Sequence, residues 1–595
     1  MKDNNIQIYR ARTNLLLIIF LSILILVLGR FFYLQIVQGN DLRELREQNI
    51  NAFEYIYPKR GRILSRDGVV LAEDRKIFSL AVDIEQKPSE SSITALSNLF
   101  PETINLNDLK EKVANSIRYR KPEVILEKIS QEDLAKYLVR GSELRGFSII
   151  EGYEREYNDH PSIFHVLGHM GYLNNTDIKY FSPKIDNYDS KLWGKVGKSG
   201  IERVYEKELQ GQHGKNYFQR NARGDKRVTT GIAPFQEGEE LSISIDYRAQ
   251  KLAYELMKNR KGSVVVIDLN DFSIPVAIST PSISANDLRD ISSAQYQDLL
   301  NDPSRPLFNR AFMGLYPPAS TIKPLLTVFA LSNGYTNWDE TIFDDGFFRF
   351  EEEERVFNAW REGGHGLTDL RKALVESSNP FFMNLSIQYE KDLFVEFLKS
   401  SSFGSKLCGD CYPHQFSPLI DDAWKYKNFG KELYKGDFIN LGVGQGYMLT
   451  TPLHLSLISG ILAKQGNYQL PFMVTKKSKA LKLLENLTED DWKQLNESLI
   501  DVIYSPNGTG YRINAGDLKL AGKSGTAQVV DINSREEYDE VRSNELLRDH
   551  AVFIGYAPYD NPRYSIAVIV ENGESGGRVA GPLAKEVLEV LLDDI

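Results

Sequence analysis

From Leu15 to Gly29 every residue is apolar except Ser22, and that run decides where the rest of the chain can fold. If Arg30 lifts its guanidinium toward the interface, the apolar stretch continues through Val37 and can cross a hydrocarbon layer of about 30 Å. Lys2, Arg10 and Arg12 precede it, and positive charge before a first span holds that end in the cytoplasm. A cleaved leader would show small residues after its apolar core. Arg30-Phe31-Phe32 stands there instead, so the segment reads as an uncleaved signal anchor. The chain then divides into a cytoplasmic tail (1–12), a single transmembrane anchor (13–37) and a large extracytoplasmic remainder.

A chain of 595 residues is too long for one core and is expected to be multidomain. Its 71 basic and 81 acidic residues give a formal net charge of -10 without any long basic run, which argues against a nucleic-acid partner. Between Arg60 and Asp83 short strand patterns flank Arg66-Asp67-Gly68, a hairpin-turn signal, and charged helical patterns follow over 108–117 and 131–138. No convincing catalytic group occurs up to Glu240, so 38–240 reads as a non-catalytic α+β block. From Leu241 the pattern changes to a strand (241–245), a helix (247–257) and a strand (263–268). Further strands come only at the far end, over 518–530, 551–556 and 564–570. Strands at both ends with helices between them imply that 241–595 builds one antiparallel sheet covered by helices.

Chemistry concentrates in this second block. Ser320-Thr321-Ile322-Lys323 follows Pro317-Pro318-Ala319, and residues three apart on a helix share a face, so Lys323 can take the proton of Ser320. Alone, the tetrad reads as a capping serine followed by a solvated lysine, which holds for most isolated matches. Two further motifs change its weight. Ser377-Ser378-Asn379 offers a hydroxyl and an amide on a short loop. Lys523-Ser524-Gly525-Thr526 lies in a strand-like stretch with a glycine at close approach, an edge that can present an ammonium, two hydroxyls and backbone N–H groups to an anionic peptide end. The order S-x-x-K, S-x-N, K-[ST]-G is the signature of penicillin-binding proteins and serine β-lactamases.

Other stretches narrow the resemblance. Arg60-Gly61-Arg62-Ile63-Leu64, Gly197-Lys198-Ser199-Gly200-Ile201-Glu202, the run from Tyr316 to Pro324, Gly363-Gly364-His365-Gly366 and Gly442-Val443-Gly444-Gln445-Gly446-Tyr447 together resemble the class B penicillin-binding proteins of cell elongation, over nearly the whole chain. That resemblance implies an inner-membrane enzyme with an α/β transpeptidase domain over 241–595, and a pedestal with a head region over 38–240. The implied reaction is D,D-transpeptidation of peptidoglycan stem peptides ending in D-Ala-D-Ala, without a cofactor. Ser320 attacks the penultimate carbonyl, Lys323 acts as its base, and Ser377, assisted by Lys523, passes a proton to the departing amine. Asn379 orients Lys323 and the substrate amide. Lys523, Ser524, Gly525 and Thr526 form the site for the terminal carboxylate, and the N–H groups of Ser320 and Thr526 form the oxyanion hole. By the same resemblance β-lactams acylate Ser320, and the partners are a multi-spanning glycan polymerase and a rod-shape scaffold protein. The rivals are a β-lactam sensor or a non-catalytic membrane scaffold with the same fold, and a hydrolytic β-lactamase. The last lacks its deacylating E-x-x-L-N motif, because the nearest string, Asp491 to Asn496, reads as helix.

The remaining candidates read as structural. Lys198-Ser199-Gly200 duplicates the third motif, but Ser199 and Glu202 form the pattern of a capping box. His165 and His169 lack the glutamate of a zincin helix, and the glycines of 442–446 are spaced for close backbone packing rather than for a dinucleotide. Cys408 and Cys411, with His414 behind them, suit a small local disulfide or half of a zinc site. No second Cys or His pair at zinc-finger spacing supports the metal. Some relatives of this subgroup hold zinc with two Asp, one His and one Cys beside the second motif. Asp344 and His365 match that set here, whereas Ala359 and Ser378 replace the other two ligands, so no zinc is expected.

Overall fold

The computed structural model describes residues 2–40, 51–119, 122–185, 194–220, 226–350, 355–474, 479–530 and 543–593. Helix α1 (Lys2–Phe32) passes into a π-helical turn over Tyr33–Val37. Its segment Arg12–Val37, of 26 residues, is long and apolar enough to cross a membrane.

The chain divides into two compact units that do not follow sequence order: 1–60, 74–154 and 210–238 make the smaller, and 61–73, 155–209 and 239–595 make the larger. The smaller unit contains an antiparallel sheet of Asn51–Ile56, Gly214–Arg220 and Lys226–Ala233. Its helices Glu90–Leu99, Leu106–Tyr119 and Gln131–Val139 pack around a core that includes Leu80, Leu96, Leu109 and Phe147. In the larger unit the Arg66-Asp67-Gly68 turn joins Ile63–Leu64 to the strand that starts at Val70, with Gly68 at φ 79°. Backbone pairing explains why 61–73 joins this unit: Leu241 lies in parallel register with Ile63, and Gly61 N–H donates to Leu209 O.

The centre of the larger unit is a five-stranded antiparallel sheet: β1 (Gly262–Asp268), β2 (Val276–Thr280), β3 (Ala521–Ala527), β4 (His550–Ala557) and β5 (Tyr564–Val570), in the order β2-β1-β5-β4-β3. Every residue of β1 and β5 is buried, so both faces of the sheet are covered. Val264, Val266, Ile566 and Val568 meet helix α2 (Tyr247–Met257) and the C-terminal helix on one face. Val265, Ile267, Ala567 and Ile569 belong to the core of the other face, which includes the middle helices. Those helices are α3 (Lys323–Ser332), α4 (Asn379–Ser386), α5 (Pro452–Ala463) and α6 (Glu489–Tyr504), and α7 (Gly581–Leu592) closes the chain. Strand β3 is an edge, and its alternation puts Lys523 on the same face as the core residues Ala521 and Ala527.

One local expectation fails. Ser199 precedes the helix Gly200–Val204, but its side chain makes no capping bond and lies 3.5 Å from His169 Nδ1, while the Glu202 carboxylate pairs with buried Arg155 at 2.7 Å. Cys408 and Cys411 form a disulfide, which removes both thiolates from any metal site.

Candidate active site

Ser320 lies in a 3-10 turn, Ala319–Ile322, that runs straight into α3, and Pro324 falls in the first turn of α3 where a missing N–H breaks no bond. The α-helix thus starts at Lys323 rather than at Ser320. The pair still shares a side, since side chains three apart eclipse one another in 3-10 geometry. The turn is held from behind. Ala319 has φ 51°, its N–H donates to Gly444 O at 2.8 Å, and a Cβ on Gly444, itself at φ 69°, would stand 2.2 Å from Ala319 O. The other two glycines of 442–446 serve different approaches: a Cβ on Gly442 would stand 2.4 Å from Ser386 Oγ, and one on Gly446 3.0 Å from Asn440 Cβ.

The second motif closes over the end of Lys323. Ser377 is left-handed at φ 61°, a conformation that costs about 1–3 kcal/mol for a non-glycine residue and recurs at functional sites. Ser378 then caps α4, accepting from Phe381 N–H at 3.2 Å. This sharp entry turns several oxygens toward one point. Lys323 Nζ donates to Ser377 O at 3.0 Å, Ser378 O at 3.1 Å and Asn379 Oδ1 at 2.8 Å, with Ser377 Oγ at 3.4 Å. Ser320 Oγ is not among these partners, which is ordinary for a resting acyl-transfer site.

The third motif comes to the same place on β3. A Cβ on Gly525 would meet Thr321 Cγ2 at 3.0 Å and Pro318 O at 3.2 Å, so the strand edge lies directly against the turn that carries Ser320. Lys523 is fully buried and donates to Ser524 O at 3.2 Å. Ser524 Oγ donates to Thr509 Oγ1 at 2.8 Å, and Gln445 Nε2 donates to Thr526 O at 3.3 Å. Burial alone pushes the Lys523 ammonium down to about 7. Burial also drives Lys323 well below the ordinary lysine range. The charge of Lys523 adds to that effect, and the Asp344 carboxylate opposes it. All the sequence-nominated residues, Ser320, Lys323, Ser377, Asn379, Lys523, Ser524, Gly525 and Thr526, thus lie on three segments that converge.

A family model described as "Penicillin binding protein transpeptidase domain" matches residues 262–589, and "Penicillin-binding Protein dimerisation domain" matches 55–243. The chain is a class B penicillin-binding protein. It is 32% identical over 596 residues to a peptidoglycan D,D-transpeptidase MrdA of Haemophilus influenzae, covering 97% of this chain and 91% of that one. The Escherichia coli protein of the same name is 31% identical, with 100% and 97% covered. Among solved structures, penicillin-binding protein 2 of Helicobacter pylori in complex with MreC superposes with TM-score 0.78 at 27% identity, covering 92% of this chain and 99% of that one. Penicillin-binding protein 2 of Pseudomonas aeruginosa in complex with WCK 5153 gives 0.67 at 26% identity, covering 91% and 97%.

This penicillin-binding protein carries functional neighbours that the motifs did not announce. Thr509 sits in Pro506-Asn507-Gly508-Thr509-Gly510, which in sequence is only a turn signal. Trp360 Nε1–H points to Ser377 O at 3.4 Å while its ring stays 61% exposed beside the second motif. Asp344 ends the strand Thr341–Asp344, which pairs with Gly366–Asp369. Its Oδ2 accepts from Ser378 Oγ at 2.6 Å and lies 2.7 Å from His365 Nδ1, and its Oδ1 accepts from Gly346 N–H at 2.9 Å. The carboxylate is therefore already committed. One carboxylate, one imidazole and a serine hydroxyl do not make the four N, O or S ligands that zinc needs, so the residues at this place do not fit the zinc site of some relatives.

Proposed function

We propose that this protein is a peptidoglycan D,D-transpeptidase in which Ser320 is the acylated nucleophile and Lys323 its general base. The observation that carries the reading is the state of Lys323, which is buried, faces Ser377 and Asn379, and is held well below the usual lysine pKa by burial and by Lys523. A lysine whose pKa is lowered in this way gives up its proton more readily than an ordinary one, and in its neutral form it takes the Ser320 proton as the hydroxyl attacks the penultimate carbonyl of a stem peptide. The N–H groups of Ser320 and Thr526 receive the developing oxyanion, each worth about 3 kcal/mol in comparable acyl transfers. Ser377, whose Oγ stands 3.4 Å from Lys323 Nζ, returns the proton to the departing D-alanine amine. Asn379 fixes the amine of Lys323. Lys523, Ser524 and Thr526, with Thr509 bracing Ser524, hold the terminal carboxylate by charge-assisted hydrogen bonds. An amine of a neighbouring stem then takes the acyl group and releases Ser320.

β-Lactams mimic the same peptide end and remain on Ser320. The N-terminus faces the cytoplasm, so the catalytic unit works outside the inner membrane, where the substrate lies. The Helicobacter relative bound to MreC supports a rod-shape scaffold protein as partner, and a separate multi-spanning polymerase supplies the glycan strands. Fluorescent penicillin on a gel should label the full-length protein stoichiometrically and fail to label Ser320→Ala. The same Ser320→Ala change should abolish cross-linking of lipid-linked substrate. Labelling that survives in Ser320→Ala would refute the assignment, and labelling without cross-linking or D-alanine release would identify a sensor.

A further inference from the structure

The buried trio Asp344, His365 and Ser378 has no part in the reaction as written above, yet all of it is within one bond network of the general base. Asp344 is wholly inaccessible, as are the side chains of His365 and Ser378. A carboxylate this deep is stable only when its oxygens are satisfied. Asp344 achieves that with Gly346 N–H on one oxygen and both His365 Nδ1 and Ser378 Oγ on the other. Because the carboxylate can only accept, His365 carries its proton on Nδ1, and Nε2 is buried without a hydrogen-bond partner among the described residues. His365 is itself fixed through its backbone, with its N–H on Asp344 O at 3.1 Å and Lys372 Nζ on its carbonyl at 2.6 Å.

Ser378 is the joint. Its hydroxyl gives its proton to Asp344 and accepts Phe381 N–H, its N–H donates to Ala373 O at 3.0 Å, and its carbonyl accepts from Lys323 Nζ at 3.1 Å. The flanking residues supply the other acceptors of Lys323. Rotation of the Ser378 peptide would therefore misplace those oxygens together.

We propose that Asp344, steadied by His365, is a positioning residue of the acylation step: through Ser378 it fixes the oxygens that aim the Lys323 amine, by hydrogen bonds alone where some relatives use a metal ion. This rests on Lys323 being the base. It also gives a role to Ser378, which stands at a ligand position without the chemistry of a zinc ligand.

The test uses full-length protein in detergent and the acylation kinetics of a fluorescent penicillin, resolved into maximal rate and half-saturating concentration. Ser378→Ala should lower the maximal rate about tenfold to a hundredfold, the usual effect of losing a partner that orients a reacting group, with the half-saturating concentration nearly unchanged. Ser378→Thr, which keeps the hydroxyl, should restore most of the rate, and the near-isosteric Asp344→Asn should behave like Ser378→Ala even if the latter folds poorly. Treating the wild type with a chelator, or adding zinc, should leave the rate unchanged. One equivalent of zinc whose removal abolishes acylation would overturn the proposal. So would variants that lose thermal stability yet acylate at the wild-type maximal rate. A Lys323→Ala protein serves as the reference: if it acylates normally, the base assignment itself is wrong, whereas its failure together with normal Ser378→Ala kinetics condemns only the positioning role.

Discussion

The triplet Lys-Ser-Gly occurs at 198–200 and again at 523–525, and the two copies show how far identical residues can diverge when their surroundings differ. Lys198 is partly exposed and ion-paired with Asp177, which also binds Arg203 at 2.7 Å. Burial opposes the ionisation of Asp177, but Lys198 and Arg203 outweigh it and hold the carboxyl below its usual range. Lys523 has the reverse setting. It is buried on a sheet edge, and its hydrogen bond goes to a backbone carbonyl rather than to a carboxylate. The first lysine is neutralised by the protein. The second has no carboxylate partner among the described residues, which suits the proposed site for an anionic peptide end.

Removing the second lysine should break the comparison most visibly. Lys523→Met is expected to lower β-lactam acylation by about a hundredfold, as for loss of a charge-assisted contact made to the reacting ligand, measured as the second-order rate. The same variant should be more stable than the wild type near pH 7. With its pKa near 7 instead of about 10.4, the native state carries a penalty on the order of a few kcal/mol that an apolar isostere removes. A lower melting temperature for Lys523→Met would mean that the lysine has a partner when folded.

The pH dependence of stability sharpens the same point. Lys523 is depressed on folding, so between about 7 and about 10.4 the unfolded chain binds more protons than the native one, and stability rises with pH across that window. Its share is full above the unfolded value and lost as pH falls through about 7, at up to about 1.4 kcal/mol per pH unit. Denaturant titrations at pH 7 and pH 9 should show a rise in the wild type that is smaller in Lys523→Met. Equal slopes would remove the buried cation from the account. Acylation should respond to the other lysine: Lys323 must be neutral, so the rate is expected to fall on acidification through a pKa well below the ordinary lysine range. A limb near pH 10 would show an ordinary lysine.

Order along the chain singles out the second copy in the sequence: only it follows S-x-x-K and S-x-N. The central sheet was legible too, since uninterrupted apolar runs such as Val264-Val265-Val266-Ile267 are buried on both faces. What sequence could not give are approaches between distant segments. Thr509 reaches Ser524 from a turn whose residues signal only a turn, and the meeting of Asp344 with Ser378, 34 residues apart, is implied by the family resemblance and by no local pattern. The capping bond expected of Ser199 is absent, and Glu202 pairs with Arg155, 47 residues away. Local patterns report local bonds, and a buried charge is settled by whatever opposite charge the fold brings near.

The smallest expected effect belongs to the first lysine and is the control for the rest. Lys198→Met removes one cation from Asp177, but Arg203 remains on Oδ1 at 2.7 Å and Asn174 N–H still donates to Oδ2 at 3.0 Å. The carboxylate therefore stays paired, and the cost should be about 1 kcal/mol, as for a partly exposed ion pair, with penicillin labelling at the wild-type rate. Two results would carry weight against this. Loss of labelling in Lys198→Met would show that the first triplet reaches the reaction after all. A destabilisation of several kcal/mol would show that Arg203 cannot neutralise Asp177 unaided, so that both triplets would have to be read as buried-lysine sites that differ in partner rather than in purpose.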